Sequence, residues 1–383
     1  MRERVTCGMV GGDSGAFIGK VHREAIRLDG LAHLTAGCFS ASSEKKNRET
    51  GGELGLDPSR VYGSFEEMAR AEGAREDGID FAVVVTPNMS HFAIAKAFLE
   101  NGIHVMCEKP LTTEIAQAEE LERLSREKGL LFGVNYSYTG CVMAKVMREM
   151  VREGKIGKVI AVNAEYPQEW LLDDLHPVPG QELKLSVWRK DPQAAGASNC
   201  VGDIGSHIEN FVHYVTGLRI RRLLATMNRF GQPLDLNANI LVEYENGANG
   251  AYWCSQVAAG TLNGLAVRVY GDEGSLEWRQ EDPDFVRHTP RGEAPRILTR
   301  GNGYVKEKAG AFSRLPTGHP EGLHVAFANI YREFVRAVAA AKAGEPADGF
   351  DFPRAEEGVQ GVRFIHAAVA SAAQDSRWVE LPS

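Results

Sequence analysis

The sequence predicts an α/β chain in two parts, a parallel sheet wound from strand–helix units followed by a mainly antiparallel sheet, and three observations carry this. Short apolar runs alternate with helical patterns through roughly the first 135 residues, the signature of βαβ units. The run Phe81-Ala82-Val83-Val84-Val85 is continuously apolar, as a strand buried on both faces requires. Beyond residue 135, strand-like stretches follow one another with no helix between most of them, which calls for antiparallel pairing.

In chain order, residues 5–10 read as a strand and 16–28 as a helix. Residues 34–39 are apolar, and 43–54 form a polar helical stretch. Ser64 with Glu67 three residues on is a capping box that opens a short helix. After the strand at 81–85, a helix over 89–100 stops at Asn101-Gly102. A strand at 103–106, a helix at 112–128 and a strand at 130–134 complete the first part. Because parallel crossovers are right-handed, the carboxyl ends of these strands line one rim, where ligands bind.

The second part starts with a helix at 139–152 that ends in Glu153-Gly154-Lys155-Ile156-Gly157. Strands are expected at 159–166, 220–229, 240–245, 250–257, 266–270 and 275–278. Residues 279–320, rich in glycine, proline and charge, read as a long loop, and helices return at 324–341 and 354–374. The expected domains are 1–135 and 136–383, with the C-terminal helix free to pack back on the first.

Length and composition bound the function. A chain of 383 residues, 43% hydrophobic and 25% charged, is long enough for two ordinary globular cores. Its net charge of -8 argues against a nucleic-acid surface. The six cysteines are scattered without a CxxC pair, so neither a zinc site nor a disulfide framework is expected. Met1-Arg2-Glu3-Arg4 leads straight into a strand, without the apolar region of a signal peptide, and no segment is apolar enough to span a membrane. The expected compartment is the reducing cytoplasm.

The turn after the first strand carries Gly11, Gly12, Gly15 and Gly19, with Phe17 and Ile18 at the start of the helix. Glycines belong where backbone approaches a pyrophosphate and a helix packs closely on a strand, and the helix N-terminus supplies N–H groups to the anion. The spacing is stretched relative to GxGxxG, and the same glycines would suit a surface turn. An acid that would accept the adenosine ribose is expected after the second strand, where Ser40 stands instead, followed by Lys45, Lys46 and Arg48. These residues suit either NAD or NADP. Two rim motifs come next: Thr86-Pro87-Asn88 with His91, and Glu108-Lys109-Pro110. Lys109 would set a cation beside a nicotinamide and a substrate hydroxyl; the alternative is a solvated turn. In Gly202-Asp203-Ile204-Gly205-Ser206-His207, Asp203 and His207 are one helical turn apart. They form either a carboxylate-held proton acceptor or a helix N-cap with a packing histidine.

In this order, the stretched glycine turn, Thr86-Pro87-Asn88 with His91, Glu108-Lys109-Pro110, Gly154-Lys155-Ile156-Gly157 and the Asp203/His207 motif resemble the Gfo/Idh/MocA oxidoreductases over nearly the whole chain. The resemblance implies an N-terminal Rossmann dinucleotide-binding domain and a C-terminal α+β domain on a large open antiparallel sheet, through which members associate as homodimers or homotetramers. It implies hydride transfer between NAD, or NADP, and a secondary hydroxyl of a sugar, sugar derivative or cyclitol, with Lys109, Asp203 and His207 at the catalytic centre converging over the nicotinamide. On this reading His207 takes the alcohol proton, Lys109 steadies the oxyanion and Asp203 orients or charges the pair. Gly11, Gly12, Gly15, Phe17, Ile18, Ser40, Thr86, Pro87, Asn88, His91, Glu108 and Lys109 would face the cofactor. On the substrate side, beside Lys109, Asp203 and His207, stand Tyr166, Gln168, Trp170, His176, Trp188 and Arg189; aromatic rings suit sugar faces and the polar groups suit hydroxyls. Arg189 with Lys190 also suits an acidic sugar. No metal, nucleic acid or membrane partner is expected. Two other readings compete: a redox-neutral glycoside-cleaving enzyme that oxidises its sugar transiently and re-reduces it, and a non-catalytic dinucleotide sensor.

Overall fold

Strand β1 (Val5–Gly11) runs into helix α1 (Phe17–Leu28), strand β2 (Ala32–Cys38) and helix α2 (Glu44–Glu53) in the computed structural model, which describes residues 4–175, 187–305 and 307–381. Helix α3 (Phe65–Ala74), β3 (Phe81–Val85), α4 (His91–Glu100), β4 (His104–Cys107), α5 (Ile115–Glu127) and β5 (Phe132–Val134) come next. All five strands pair in parallel, in the order β2-β1-β3-β4-β5. Chain direction across the sheet reverses between β1 and β3, so a crevice opens at their carboxyl ends. Local sequence explains the helix starts: Ser43 Oγ accepts the Lys46 N–H at α2 and Ser64 Oγ accepts the Glu67 N–H at α3. Every residue of β3 is buried, as its unbroken apolar run requires.

The chain forms two compact units, residues 1–140 with 323–359, and residues 141–322 with 360–383. The first unit regains a helix late in the sequence, α11 (Leu323–Lys342), which packs beside α1. Its Phe327, Ile330, Tyr331 and Phe334 join Cys7, Met9, Phe81 and Val83 in one core.

The second unit begins with α6 (Val142–Arg152) and β6 (Val159–Pro167), then short helices α7 (Val187–Lys190) and α8 (Pro192–Ala195), and α9 (Ser206–Thr216). Strands β7 (Ile220–Asn228), β8 (Asn237–Tyr244), β9 (Asn249–Ser255), β10 (Ala266–Gly271), β11 (Gly274–Arg279), β12 (Phe285–Pro290) and β13 (Arg296–Thr299) succeed them, with the short helix α10 (Glu307–Gly310). Helix α12 (Ala355–Ala373) and β14 (Val379–Glu380) close the chain. Among the described residues, nine strands form one sheet, β13-β12-β11-β10-β6-β9-β8-β7-β14, in which only β6 and β9 pair in parallel. Alternation sets its two faces. Val162, Val269, Leu276, Ile240 and Tyr252 are buried, and Phe211 of α9 stacks on Trp278 at 4.6 Å between centroids. The opposite face carries Tyr270, Leu241 and the Glu165–Arg268–Glu277 ion-pair ladder.

The expected loop over 279–320 is corrected: it contains the strands β12 and β13. Val286 and His288 of β12 alternate inward between exposed Phe285 and Arg287, a two-residue period hidden by the flanking charge. Beyond β13 the chain is tied down by buried Arg300, which bonds Asp284, Glu321 and the carbonyls of Leu315 and His319.

Candidate active site

In the first unit, the candidate cofactor site is the rim of the parallel sheet. Gly11 and Gly12 both have positive φ (81° and 66°), where a side chain is strained. A Cβ on Gly11 would lie 2.2 Å from the Val85 carbonyl oxygen, and one on Gly19 would lie 2.5 Å from Gly12 Cα. Strand β1, its turn and α1 therefore meet through bare backbone, and the stretch in the glycine spacing is absorbed by Asp13 to Ala16 before the helix begins. Gly15 takes no part in the close approach; its N–H bonds Asp13 Oδ1. Helix α1 has no side-chain cap at Ala16, so the N–H groups of exposed Phe17 and half-buried Ile18 open the helix without a local acceptor. A glycine cradle that any Cβ would fill, leading into an uncapped helix N-terminus, fits the pyrophosphate of a dinucleotide.

At the end of β2, Asn47 secures the loop: its Oδ1 accepts the N–H groups of Phe39 and Ser40, and its Nδ2 donates to the Ser40 carbonyl. The cations here are all paired, Lys45 with Glu49, Lys46 with Asp13 at 3.3 Å, and Arg48 with Glu44. After β3, Thr86 is half-buried, Pro87 exposed and Asn88 buried, and Ser90 Oγ donates to the Pro87 carbonyl. His91 departs from the expected cofactor contact. It is wholly enclosed, with Nδ1 2.9 Å from the Pro110 carbonyl and Nε2 2.9 Å from the Thr86 carbonyl. It is a strut between two rim loops, and its burial pushes the imidazolium down, with the carbonyl bonds opposing.

Glu108 and Lys109 come directly after β4. The Glu108 N–H bonds the Val84 carbonyl, and its carboxylate accepts from His22 Nε2 at 2.8 Å, Asn135 Nδ2 at 2.6 Å and the Lys109 N–H at 3.3 Å. Burial pushes this carboxyl up, but the His22 hydrogen bond, the Lys109 charge and the Asn135 amide outweigh it and hold it at about 2. Such a depressed carboxyl contributes stability that is complete above its ordinary range and lost as pH falls from 4.5 towards about 2. The stability difference between the wild type and Glu108→Gln is therefore expected to be on the order of 3 kcal/mol near neutrality and to shrink as acid is added. Denaturant unfolding across the acid range measures this, and a difference independent of pH would contradict it.

The second unit carries a candidate cluster of its own. Asp203 sits in a single wide π-helical turn, residues Val201–Gly205, which runs directly into α9 with His207 in its first turn. Such turns recur at functional sites. The N-cap alternative does not hold, because the Asp203 N–H already bonds the Asn199 carbonyl within the turn. Buried Asp235 anchors the turn by accepting the N–H groups of Asn199 and Val201.

The orientation of Asp203 is set by two residues that the sequence reading missed. Asn199 Nδ2 donates to Gln256 Oε1 at 2.9 Å, which forces the Gln256 amide NH2 onto Asp203 Oδ2, also at 2.9 Å. Arg189 Nε lies 3.4 Å from Asp203 Oδ1, and its guanidinium stacks on Trp188 at 4.6 Å. His207 is 8% exposed, with its ring 6.2 Å from that of Tyr166. Tyr166 Oη and Gln168 Nε2 both donate to Asn263 Oδ1, and Trp170 Nε1 donates to Gln168 Oε1. The expected substrate-side residues of this unit thus fall into two clusters, Tyr166, Gln168 and Trp170 around Asn263, and Trp188, Arg189 and Asp203 beside Gln256, while His176 lies outside the described residues. No sequence signal pointed to Asn199, Gln256 or Asn263, because isolated amides carry no pattern until the fold assembles them. Among the described residues, no cluster of His, Cys, Asp and Glu could hold a metal ion, and no helix is long and apolar enough to cross a membrane.

A doubly wound parallel sheet with a dinucleotide cradle, joined in one chain to an antiparallel domain carrying an aspartate–histidine pair, defines an NAD-dependent oxidoreductase. Residues 5–136 match the oxidoreductase family with an NAD-binding Rossmann fold, and residues 144–277 match the GFO/IDH/MocA C-terminal domain. The chain belongs to the Gfo/Idh/MocA oxidoreductase family. It is 36% identical to the uncharacterised oxidoreductase YfiI of Bacillus subtilis, over 97% of this chain and 95% of that protein. An inositol dehydrogenase homologue from Azotobacter vinelandii, complexed with NADH and myo-inositol, is 35% identical with a TM-score of 0.92, covering 99% of this chain and 98% of the other. An oxidoreductase from Sinorhizobium meliloti is 42% identical with a TM-score of 0.88, covering 99% and 100%.

Proposed function

We propose that this enzyme transfers a hydride between NAD and a secondary hydroxyl of a neutral sugar or cyclitol. The observation that carries the substrate class is the full-length likeness to the protein solved with NADH and myo-inositol. In support of a neutral substrate, Arg189 spends its charge on Asp203, so an anionic sugar would compete with a carboxylate already in place.

The dinucleotide would lie on the Gly11–Gly12 turn and the α1 N-terminus, with Thr86, Pro87 and Asn88 along its rim and Ser40 by the adenosine ribose; when bound it supplies the hydride acceptor. A secondary alcohol is a weak acid, so its proton must leave as the hydride does. His207 takes that proton, Lys109 stabilises the developing negative charge on the oxygen, and Asp203, held by Gln256, orients the acceptor. Tyr166, Gln168, Trp170 and Trp188 would frame the sugar.

Pairing of Lys46 with Asp13 and of Arg48 with Glu44 leaves little net positive charge to attract a 2′-phosphate, so NAD is the preferred cofactor. Asp13→Asn releases Lys46 and is expected to raise kcat/KM with NADP by about fivefold relative to NAD, a change on the scale of one exposed ion pair. An unchanged cofactor ratio would show that Lys46 does not reach the ribose. The apolar residues Tyr270 and Leu241 on the open sheet face suit association as a homodimer or homotetramer, which light scattering reads directly. A panel of sugars and polyols with NAD, followed by nicotinamide absorbance and by released aglycone, tests the reaction. Aglycone release without net NADH would replace it by the redox-neutral route.

A further inference from the structure

Two buried residues of the first unit meet at the Glu108 carboxylate and a third backs one of them, all from elements far apart in the sequence. His22 comes from α1, Asn135 from the residue after β5, and Tyr331 from α11. All three are at most 2% exposed. His22 Nε2 lies 2.8 Å from Glu108 Oε1, and His22 Nδ1 lies 2.5 Å from Tyr331 Oη.

With the His22 imidazole neutral, the hydrogen directions follow from its partners. A carboxylate can only accept, so His22 carries its hydrogen on Nε2. The Tyr331 hydroxyl is buried, and its hydrogen goes to His22 Nδ1, which is then the accepting nitrogen. Asn135 turns its NH2 to the carboxylate, and its buried Oδ1 has no partner among the described residues. The chain of donors runs one way, Tyr331 to His22 to Glu108, with Asn135 as a second donor to the same oxygen. An apolar core would serve packing at least as well, because a buried network is costly unless every member is satisfied. The network ends one residue from Lys109, and the other Glu108 oxygen holds the Lys109 backbone N–H.

We propose that His22 and Tyr331 are positioning residues for catalysis: they lock the Glu108 carboxylate in one orientation, and that carboxylate fixes the backbone from which Lys109 reaches the reacting oxygen. The network also ties α1, whose N-terminus would hold the pyrophosphate, to the strand end that carries Lys109. The inference rests on the function proposed above for Lys109.

The test uses the full-length enzyme with His22→Phe, His22→Gln and Tyr331→Phe. A hydrogen bond to a charged group is worth about tenfold, so His22→Phe is expected to lower kcat by about that factor or more while the Kd for NADH stays within about threefold. His22→Gln, which can still donate to Glu108, is expected to restore most of the loss, and Tyr331→Phe to show a smaller loss. Nitrogen-15 histidine spectra of the wild type, assigned by comparison with His22→Gln, are expected to show His22 with hydrogen on Nε2 and a bare Nδ1. That signature needs no turnover, so it stands or falls separately from the dehydrogenase reading. If no polyol is oxidised but the tautomer is as described, the functional reading fails and the network remains. An unchanged kcat in His22→Phe and His22→Gln, or a hydrogen on Nδ1, overturns the inference. Should His22→Phe fail to fold, the His22→Gln and Tyr331→Phe kinetics and the spectrum decide it.

Discussion

Replacing Lys109 with alanine is expected to lower kcat by about a thousandfold while leaving NADH affinity within a few-fold of wild type. Lys109 lies just past the end of β4, next to Glu108, on the rim where ligands of parallel sheets bind. Its charge has a role only as negative charge develops on the substrate oxygen, so its loss should appear in kcat rather than in ground-state binding of the cofactor. The glycine turn and the α1 N-terminus, which would carry cofactor binding, lie on β1 and α1 and are untouched by the change. Fluorescence titration with NADH and steady-state kinetics on an active polyol separate the two. A loss confined to NADH affinity, with kcat preserved, would make Lys109 a cofactor anchor.

The second large effect is expected from the other unit. His207→Ala should cost about a hundredfold to ten-thousandfold in kcat, the range of a positioned proton acceptor. Gln256→Leu should fall between wild type and His207→Ala: it removes the amide that fixes Asp203 Oδ2 but leaves Arg189 on Oδ1. If Gln256→Leu equals wild type, Asp203 is not held for catalysis by its amide partner. If His207→Ala equals wild type, the proton acceptor lies elsewhere.

These residues differ in how far the sequence exposes them. Strand β3 was legible because burial on both faces leaves an unbroken apolar run. The start of α3 was legible because Ser64 caps it through its own side chain. Lys109, Asp203 and His207 stood out because each sits at a strand end or turn in a recognisable order. Strands β12 and β13 were hidden because each presents only a few inward residues among arginines and glycines. The role of His91 was misread because its neighbours in sequence point to a rim, whereas its two carbonyl partners, Thr86 and Pro110, are visible only in three dimensions. Gln256 and Tyr331 could not have been chosen from the sequence. Each lies far along the chain from the group it serves, and nothing in its local pattern separates it from an ordinary core residue.

Net hydride transfer to NAD is the central claim, and the most direct measurement is the stoichiometry of a single-substrate reaction. The enzyme is incubated with NAD and each member of a sugar and cyclitol panel, and NADH formed is compared with hydroxyl oxidised. The expected result is one NADH for each carbonyl produced with at least one neutral polyol, formed about a thousandfold more slowly when Lys109 is alanine. Carbonyl-free turnover with no net NADH, or no reaction with any polyol while NAD is bound, would contradict it.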